Sequence, residues 1–162
     1  MKFTYMKTPL YKYTFRNRRI REWVESRCEG LTLNLFAGIT ELEGVNEIRN
    51  DSDPESPSDY HEDGLQLVEL FKDNVVFETV LLDPPYSYRK SMEMYGGRTM
   101  STFNAVKNNL SDLLVKDGIV ITFGYHSVSM GKTRGFEQEE VLLLSHGGAI
   151  HDTVAIIERK II

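Results

Sequence analysis

The feature that most constrains this chain is the run VVFETVLLDPPY at residues 75–86. Its first eight residues are β-branched, aromatic or aliphatic apart from one Glu-Thr pair, the pattern of a strand buried on both faces of a parallel sheet. The run stops at Asp83, Pro84 and Pro85. Two prolines remove two backbone donors and fix two φ angles, so the ladder ends there and the carbonyls stay available as acceptors. A doubly buried parallel strand needs neighbours and covering helices, so the rest of the chain has to supply both.

It does so in alternation. RNRRIREWVESRCE (16–29) spaces Ile20, Trp23, Val24 and Cys28 as one face of a helix closed by Gly30. LTLNLF (31–36) reads as a strand, AGITELEG as a turn or one helical turn, GVNEIRN (44–50) as a second strand, and SDPESPS (52–58) as turn chemistry. DYHEDGLQLVELFKDN (59–74) predicts a short strand, a loop at Glu62-Asp63-Gly64 and a short helix. SYRKSMEMYGGRTM (87–100) is a long polar, basic loop; residues 101–118 predict a helix with Phe103, Val106, Leu110, Leu113 and Leu114 on one face. GIVITFGY (118–125) is a buried strand, SVSMGKTRG (127–135) a second mobile basic loop, and residues 139–160 a hairpin around Gly147-Gly148. The order predicts one α/β domain over residues 1–162, its sheet mostly parallel with an antiparallel edge.

Composition narrows the function classes. A net charge of −5 argues against a strongly basic, non-specific nucleic-acid binder, so any polyanion has to be met by local charge. The single Cys28 excludes an internal disulfide framework and a cysteine-based zinc cluster, and the histidines show no ligand spacing, so no metal is assigned. No apolar run approaches the roughly 18 residues of a membrane span, and the N-terminal residues lack the apolar block of a secretory signal. The expected location is cytoplasmic.

In sheets of this class ligands bind beyond the carboxyl ends of the strands. The small-residue turn Phe36-Ala37-Gly38, then Asp51 or Asp53, then Asp63, then Asp83 stand at successive predicted strand ends. Each alone is an ordinary loop feature, and their shared placement is the signal. Carboxylates there offer several acceptor sites to hydroxyl or amine donors.

With LNLFAG (33–38), NDSDPES (50–56), YHEDGLQL (60–67), DPPY (83–86) and the closing hairpin in place, the chain resembles the class I S-adenosylmethionine-dependent methyltransferases, and among them those that methylate exocyclic base amines. The resemblance covers about residues 16 to 160 and implies a Rossmann-like fold with S-adenosyl-L-methionine as cofactor. It implies that Asn34, Phe36, Ala37 and Gly38 form the first cofactor motif, with the small residues letting backbone approach the methionine part. Asp51, or Asp53 as the alternative, would accept from the ribose hydroxyls, and Asp63 from the adenine amine, with Asp83 closing the cofactor pocket. The catalytic set would be Asp83, Pro84, Pro85 and Tyr86: the Asp83 carboxylate and the Pro84 carbonyl accept from the two hydrogens of the target amine, and Tyr86 stacks on its base. Arg89, Lys90, Arg98, Lys132 and Arg134 would neutralise phosphates beside that base. Tyr11, Lys12, Tyr13 and Phe15 fall where related enzymes close over the cofactor, and core packing serves these aromatics equally well.

Departures from the family pattern carry their own implications. The second glycine of the first motif is missing, and Asn34 stands where an acid is common. The link between the first two expected strands is too short for a full helical crossover, and a turn replaces the next helix. That trims one face of the sheet, which a homodimer or a partner subunit would cover. No segment has the length of a separate target-recognition domain. The expected substrate is adenine in DNA, the alternatives being a base amine in structured RNA or a non-catalytic subunit that binds cofactor or nucleic acid.

Overall fold

The structure, a computed structural model, describes residues 1–84 and 98–162, the side chains of residues 98–102 excepted. Seven strands form one sheet: β1 (Lys2–Lys7), β2 (Leu31–Asn34), β3 (Asn46–Arg49), β4 (Phe77–Leu82), β5 (Leu114–Gly124), β6 (Phe136–Ser145) and β7 (Thr153–Lys160). Among the described residues three helices accompany them: α1 (Arg18–Glu25), α2 (Gly64–Phe71) and α3 (Arg98–Leu110). The spatial order is β1-β6-β7-β5-β4-β2-β3. Among the described residues no helix is long and apolar enough to cross a membrane.

β4 pairs in parallel with β2 on one side and β5 on the other, as its mostly apolar pattern requires. Val80 and Leu82 point into one apolar cluster with Leu67 and Phe71 of α2 and Val106 and Leu110 of α3. Leu81 points to the opposite face, into a cluster with Ile20, Trp23 and Val24 of α1 and Ile121 and Phe123 of β5. Both clusters are sealed, and burying each such side chain contributes about 1.5–3 kcal/mol. Asn17 caps α1, its side chain accepting from the backbone amides of Arg19 and Ile20.

The structure departs from the sequence pattern in five places. β1 was not expected: only Thr4 and Met6 are half-buried, so the strand has little core signature and owes its existence to parallel pairing with β6, over 130 residues away. The strand expected just before Glu62 shrinks to one bridge between Asn50 and Tyr60. α3 ends at Leu110, a 3-10 turn covers Ser111–Leu113, and β5 begins at Leu114, where a helix to Gly118 was expected. Tertiary pairing decides this, because Leu114 faces Phe77 across the sheet, and Asp117 at φ 64 absorbs the register shift that follows. The antiparallel strand is not an edge either, since β7 lies between β5 and β6.

The segment 127–135, expected as a mobile loop, is instead a fastened crossover from β5 to β6. Met130 is fully buried in the α2–α3 cluster. The buried Glu158 carboxylate accepts from the backbone amides of Met130 at 2.8 Å and Gly131 at 3.0 Å. Arg134 donates to Asn108 of α3 and to the carbonyls of Ser129 and Met130. Replacing Glu158 with Ala strands two backbone donors in the interior and is expected to cost about 3 kcal/mol of stability. Chemical denaturation reads this directly, and a loss under about 1 kcal/mol would mean water takes over both amides.

Candidate functional site

The site grows from the turn after β2. Beyond Asn34 the chain leaves the ladder, and each successive group is caught by a neighbour. Ala37 N–H donates to the Asn50 carbonyl at 2.8 Å, and Gly38 N–H donates to the Asp51 carboxylate at 2.8 Å. Gly38 has φ +62, a conformation that an L side chain rarely adopts. From below, the guanidinium of the buried Arg49 donates to the Gly38 carbonyl at 3.2 Å. Asn50, 1% exposed, completes the frame: its amide nitrogen donates to the carbonyls of Leu35 and Glu62, and its amide oxygen accepts from Glu62 N–H, all at 3.0 Å. One side chain thus holds the ends of β2, β3 and the segment leading into α2.

Opposite this turn, β4 delivers Asp83 and Pro84. Burial pushes the Asp83 carboxyl up from 3.8 to about 7, and the hydroxyl of Thr14, donating to Oδ1 at 3.1 Å, opposes the rise. Thr14 belongs to a segment that follows β1 and crosses in front of the strand ends. Asn17 ties that segment down by donating to Thr8 Oγ1 at 2.6 Å and to the Pro9 carbonyl at 3.3 Å. His146 Nδ1 meets the Thr8 carbonyl at 2.8 Å. Between the segment and the strand ends lies a cavity of about 500 Å³, within the range of about 300–1,000 Å³ usual for small-molecule sites. Tyr11, Tyr13, Phe36, Gly38, Asp51 and Asp83 are among the residues lining it.

No protein-family model matches the sequence, and no curated protein matches it. Solved structures do match. SMU.776, a methyltransferase by assignment and solved with S-adenosylhomocysteine (SAH), superposes at TM-score 0.63 and 13% identity over 91% of this chain and 50% of its own. The chain therefore spans about half the length of that protein. The N-methyltransferase NodS from Bradyrhizobium japonicum superposes at 0.61 and 14% identity, over 94% of this chain and 100% of that one. The 1,6-didemethyltoxoflavin-N1-methyltransferase of Burkholderia thailandensis, with that compound and SAH bound, gives 0.58 and 12% over 90% and 78%. The fold is the Rossmann-like methyltransferase fold. In such a fold the cavity stands where ligands bind, beyond the carboxyl ends of the parallel strands.

Within the methyltransferase fold, the residues singled out in the sequence separate into groups. Phe36, Ala37, Gly38, Asp51, Asp83 and Pro84 converge on the cavity. Asn34 lies fully buried beneath it, paired in register with Arg49. Asp53 and Asp63 do not line it: Asp53 accepts from Glu55 N–H within its own turn, and Asp63 caps α2 through Leu65 N–H. Pro85, Tyr86, Arg89 and Lys90 lie outside the described residues, as does the side chain of Arg98. Lys132 and Arg134 sit at the wrong end of the sheet. Phe136 pairs with Lys160, and Arg159 with Ile119, which is level with Thr79 near the start of β4, so these bases stand at the end remote from Asp83. Arg134 is also committed to its loop, which is why the expectation of a phosphate contact fails for it.

Three participants escaped the sequence reading: Asn50, Arg49 and Thr14. Asn50 and Arg49 flank the acidic motif and look like ordinary strand-end polar residues, and Thr14 is 69 residues from its partner. Of the aromatic segment, Tyr11, Tyr13 and Phe15 all line the cavity, and Phe15 is also core, packed edge-on against Phe123 at 5.6 Å. The raised Asp83 carboxyl predicts a pH signature. The folded protein keeps a proton that the unfolded chain releases above about pH 4, so stability from this group is greatest in acid and falls until about pH 7. Asp83→Asn should therefore stabilise by on the order of 1–2 kcal/mol at pH 8 and not at pH 4, measured by denaturation at both. Equal effects at both would contradict the raised carboxyl.

Proposed function

We propose that this chain is an S-adenosylmethionine-dependent methyltransferase acting on an exocyclic base amine of nucleic acid, adenine in DNA in the first place. The observation that carries the reading is the convergence of the Gly38 turn, Asp51 and the Asp83-Pro84 strand end on one cavity. The donor set suits the cofactor. Asp51 uses two acceptor positions on Gly38 N–H and Asp53 N–H, which leaves others for a pair of ribose hydroxyls. Gly38 leaves room for close approach, its absent Cβ having Tyr13 as nearest neighbour at 3.6 Å. The SAH held by SMU.776 and by the Burkholderia enzyme supports the same cofactor here.

When bound, the cofactor supplies an electrophilic methyl group on a sulfonium. The chain has to make a delocalised amine nucleophilic and give its proton a destination. On this reading Asp83 and the Pro84 carbonyl accept from the amine hydrogens, drawing the nitrogen toward a tetrahedral shape. An Asp83 carboxyl at about 7 is a serviceable proton acceptor at neutral pH, where an ordinary carboxylate is a weak one. Methyl transfer should then rise about tenfold per pH unit below 7 and level off above it. A flat profile would remove Asp83 from that role.

A second reading, methylation of a small-molecule amine, is favoured by charge. The stretch from Asp51 to Asp63, which enters the cavity lining at Asp51, carries Asp51, Asp53, Glu55, Asp59, Glu62 and Asp63 with no lysine or arginine, and among the described residues Lys12 is the cation in that lining. An acidic stretch beside the cavity repels a phosphate backbone. Transfer of labelled methyl to duplex DNA, structured RNA and a pool of small amines separates the readings, with mass analysis naming the modified atom. Asp83→Ala is expected to lose about 10²–10³-fold in rate. Asp51→Ala should weaken SAH binding by about tenfold or more in calorimetry. Absence of SAH binding by the parent protein would sink the enzyme reading and the cofactor-binding subunit with it.

A further inference from the structure

We propose that Thr14 is a positioning residue for this site: its hydroxyl fixes the orientation of the Asp83 carboxylate, so that the N-terminal segment, and not β4 alone, sets the acceptor offered to the amine. The inference rests on the reading of Asp83 above. Asp83 is the first residue past the β4 ladder and precedes a proline, so its backbone is directed by the strand while its side chain still has two torsions to fix. Among the described residues the Thr14 hydroxyl is hydrogen-bonded to it, at 3.1 Å on Oδ1. A group that serves an acceptor role has to be held in its productive rotamer by a second contact, or it samples orientations that turn away from the substrate.

The hydroxyl is itself held firmly. Thr14 is 7% exposed and sits in the 3-10 turn Thr14–Arg16, immediately before α1. Its neighbour Phe15 is wedged against Phe123 of β5, and Asn17 both caps α1 and grips Thr8. At the far end of the segment Thr8 N–H donates to the Ser145 carbonyl, and its own carbonyl meets His146. The segment between these anchors carries Tyr11 and Tyr13 into the cavity wall. Whatever occupies the cavity and shifts that wall therefore also shifts Asp83's partner. A hydrogen bond to the charged form favours ionisation, so the same contact restrains the proton affinity of the carboxyl.

The test compares Thr14→Val, which keeps the shape and removes the hydroxyl, with Thr14→Ser, which keeps the hydroxyl. Thr14→Val is expected to lower kcat about tenfold, to leave SAH affinity within about twofold, and to move the pH midpoint of the rate upward. Thr14→Ser should stay close to the parent in all three. Titration of the Asp83 carboxyl by carbon NMR gives a readout that needs no turnover, with the midpoint expected to rise in Thr14→Val alone. A Thr14→Val protein with the parent's kcat and carboxyl midpoint overturns the inference, as does a Thr14→Ser protein that falls with it. Asp83→Ala run alongside separates the two levels. If Asp83→Ala is as active as the parent, the role of Asp83 fails; if it is inactive while Thr14→Val is unimpaired, only the role of Thr14 fails.

Discussion

Everything about this molecule follows from where β4 ends. The strand is held from both sides by parallel ladders and from both faces by apolar clusters, so its exit point is among the least negotiable positions in the chain. Pro84 then forbids continuation. A carboxylate placed at that exit is presented to the carboxyl-end cavity by the rigid centre of the sheet, which is the placement an acceptor of defined geometry needs. The cost is a desolvated carboxyl, visible in its elevated proton affinity. A half-buried acid with a raised proton affinity beside a cavity marks a candidate site residue.

The trimmed face shows how a short chain compensates for a missing crossover helix. Between β2 and β3 residues 35–45 form no helix, so the face beneath them has only a partial apolar lid, from Leu42 and Val45. Thr32, Asn34, Glu47 and Arg49 occupy it instead, and Arg49 bonds Glu47 at 3.3 Å and the Gly38 carbonyl. Burial raises the Glu47 carboxyl and Arg49 opposes the rise. A polar frame of this kind is costly unless its members satisfy one another, and it specifies geometry more sharply than apolar packing does. Here it holds the backbone turn that faces the cavity. Asn50 does the same from the other side, with its amide spanning three segments.

Much of this was legible in the residue order. The helix face of Ile20, Trp23 and Val24, the strands at Leu31–Asn34, Asn46–Arg49 and Phe77–Leu82, the closing hairpin and the convergence of Gly38, Asp51 and Asp83 all follow from local periodicity and strand-end placement. Two of the failures depend on distant partners. β1 exists because β6 accepts it, and β5 starts early because Leu114 finds Phe77. The basic residues Lys132 and Arg134 were assigned to the site by their place in a loop after a strand, but the crossover carries them to the far end of the sheet. Asp63 was read from the sequence as a motif carboxylate, and its side chain caps α2 through an amide two residues on.

The sequence by itself determined the alternation of elements, the abrupt end of β4 and the chemical character of what stands there, because hydrophobic period and proline are local and act within a few residues. Only the tertiary structure decided which polar groups share a cavity and which merely share a motif. Hydrogen bonds such as Thr14 to Asp83 join residues that no local rule relates, and their geometry exists only once the sheet has assembled the strand ends side by side.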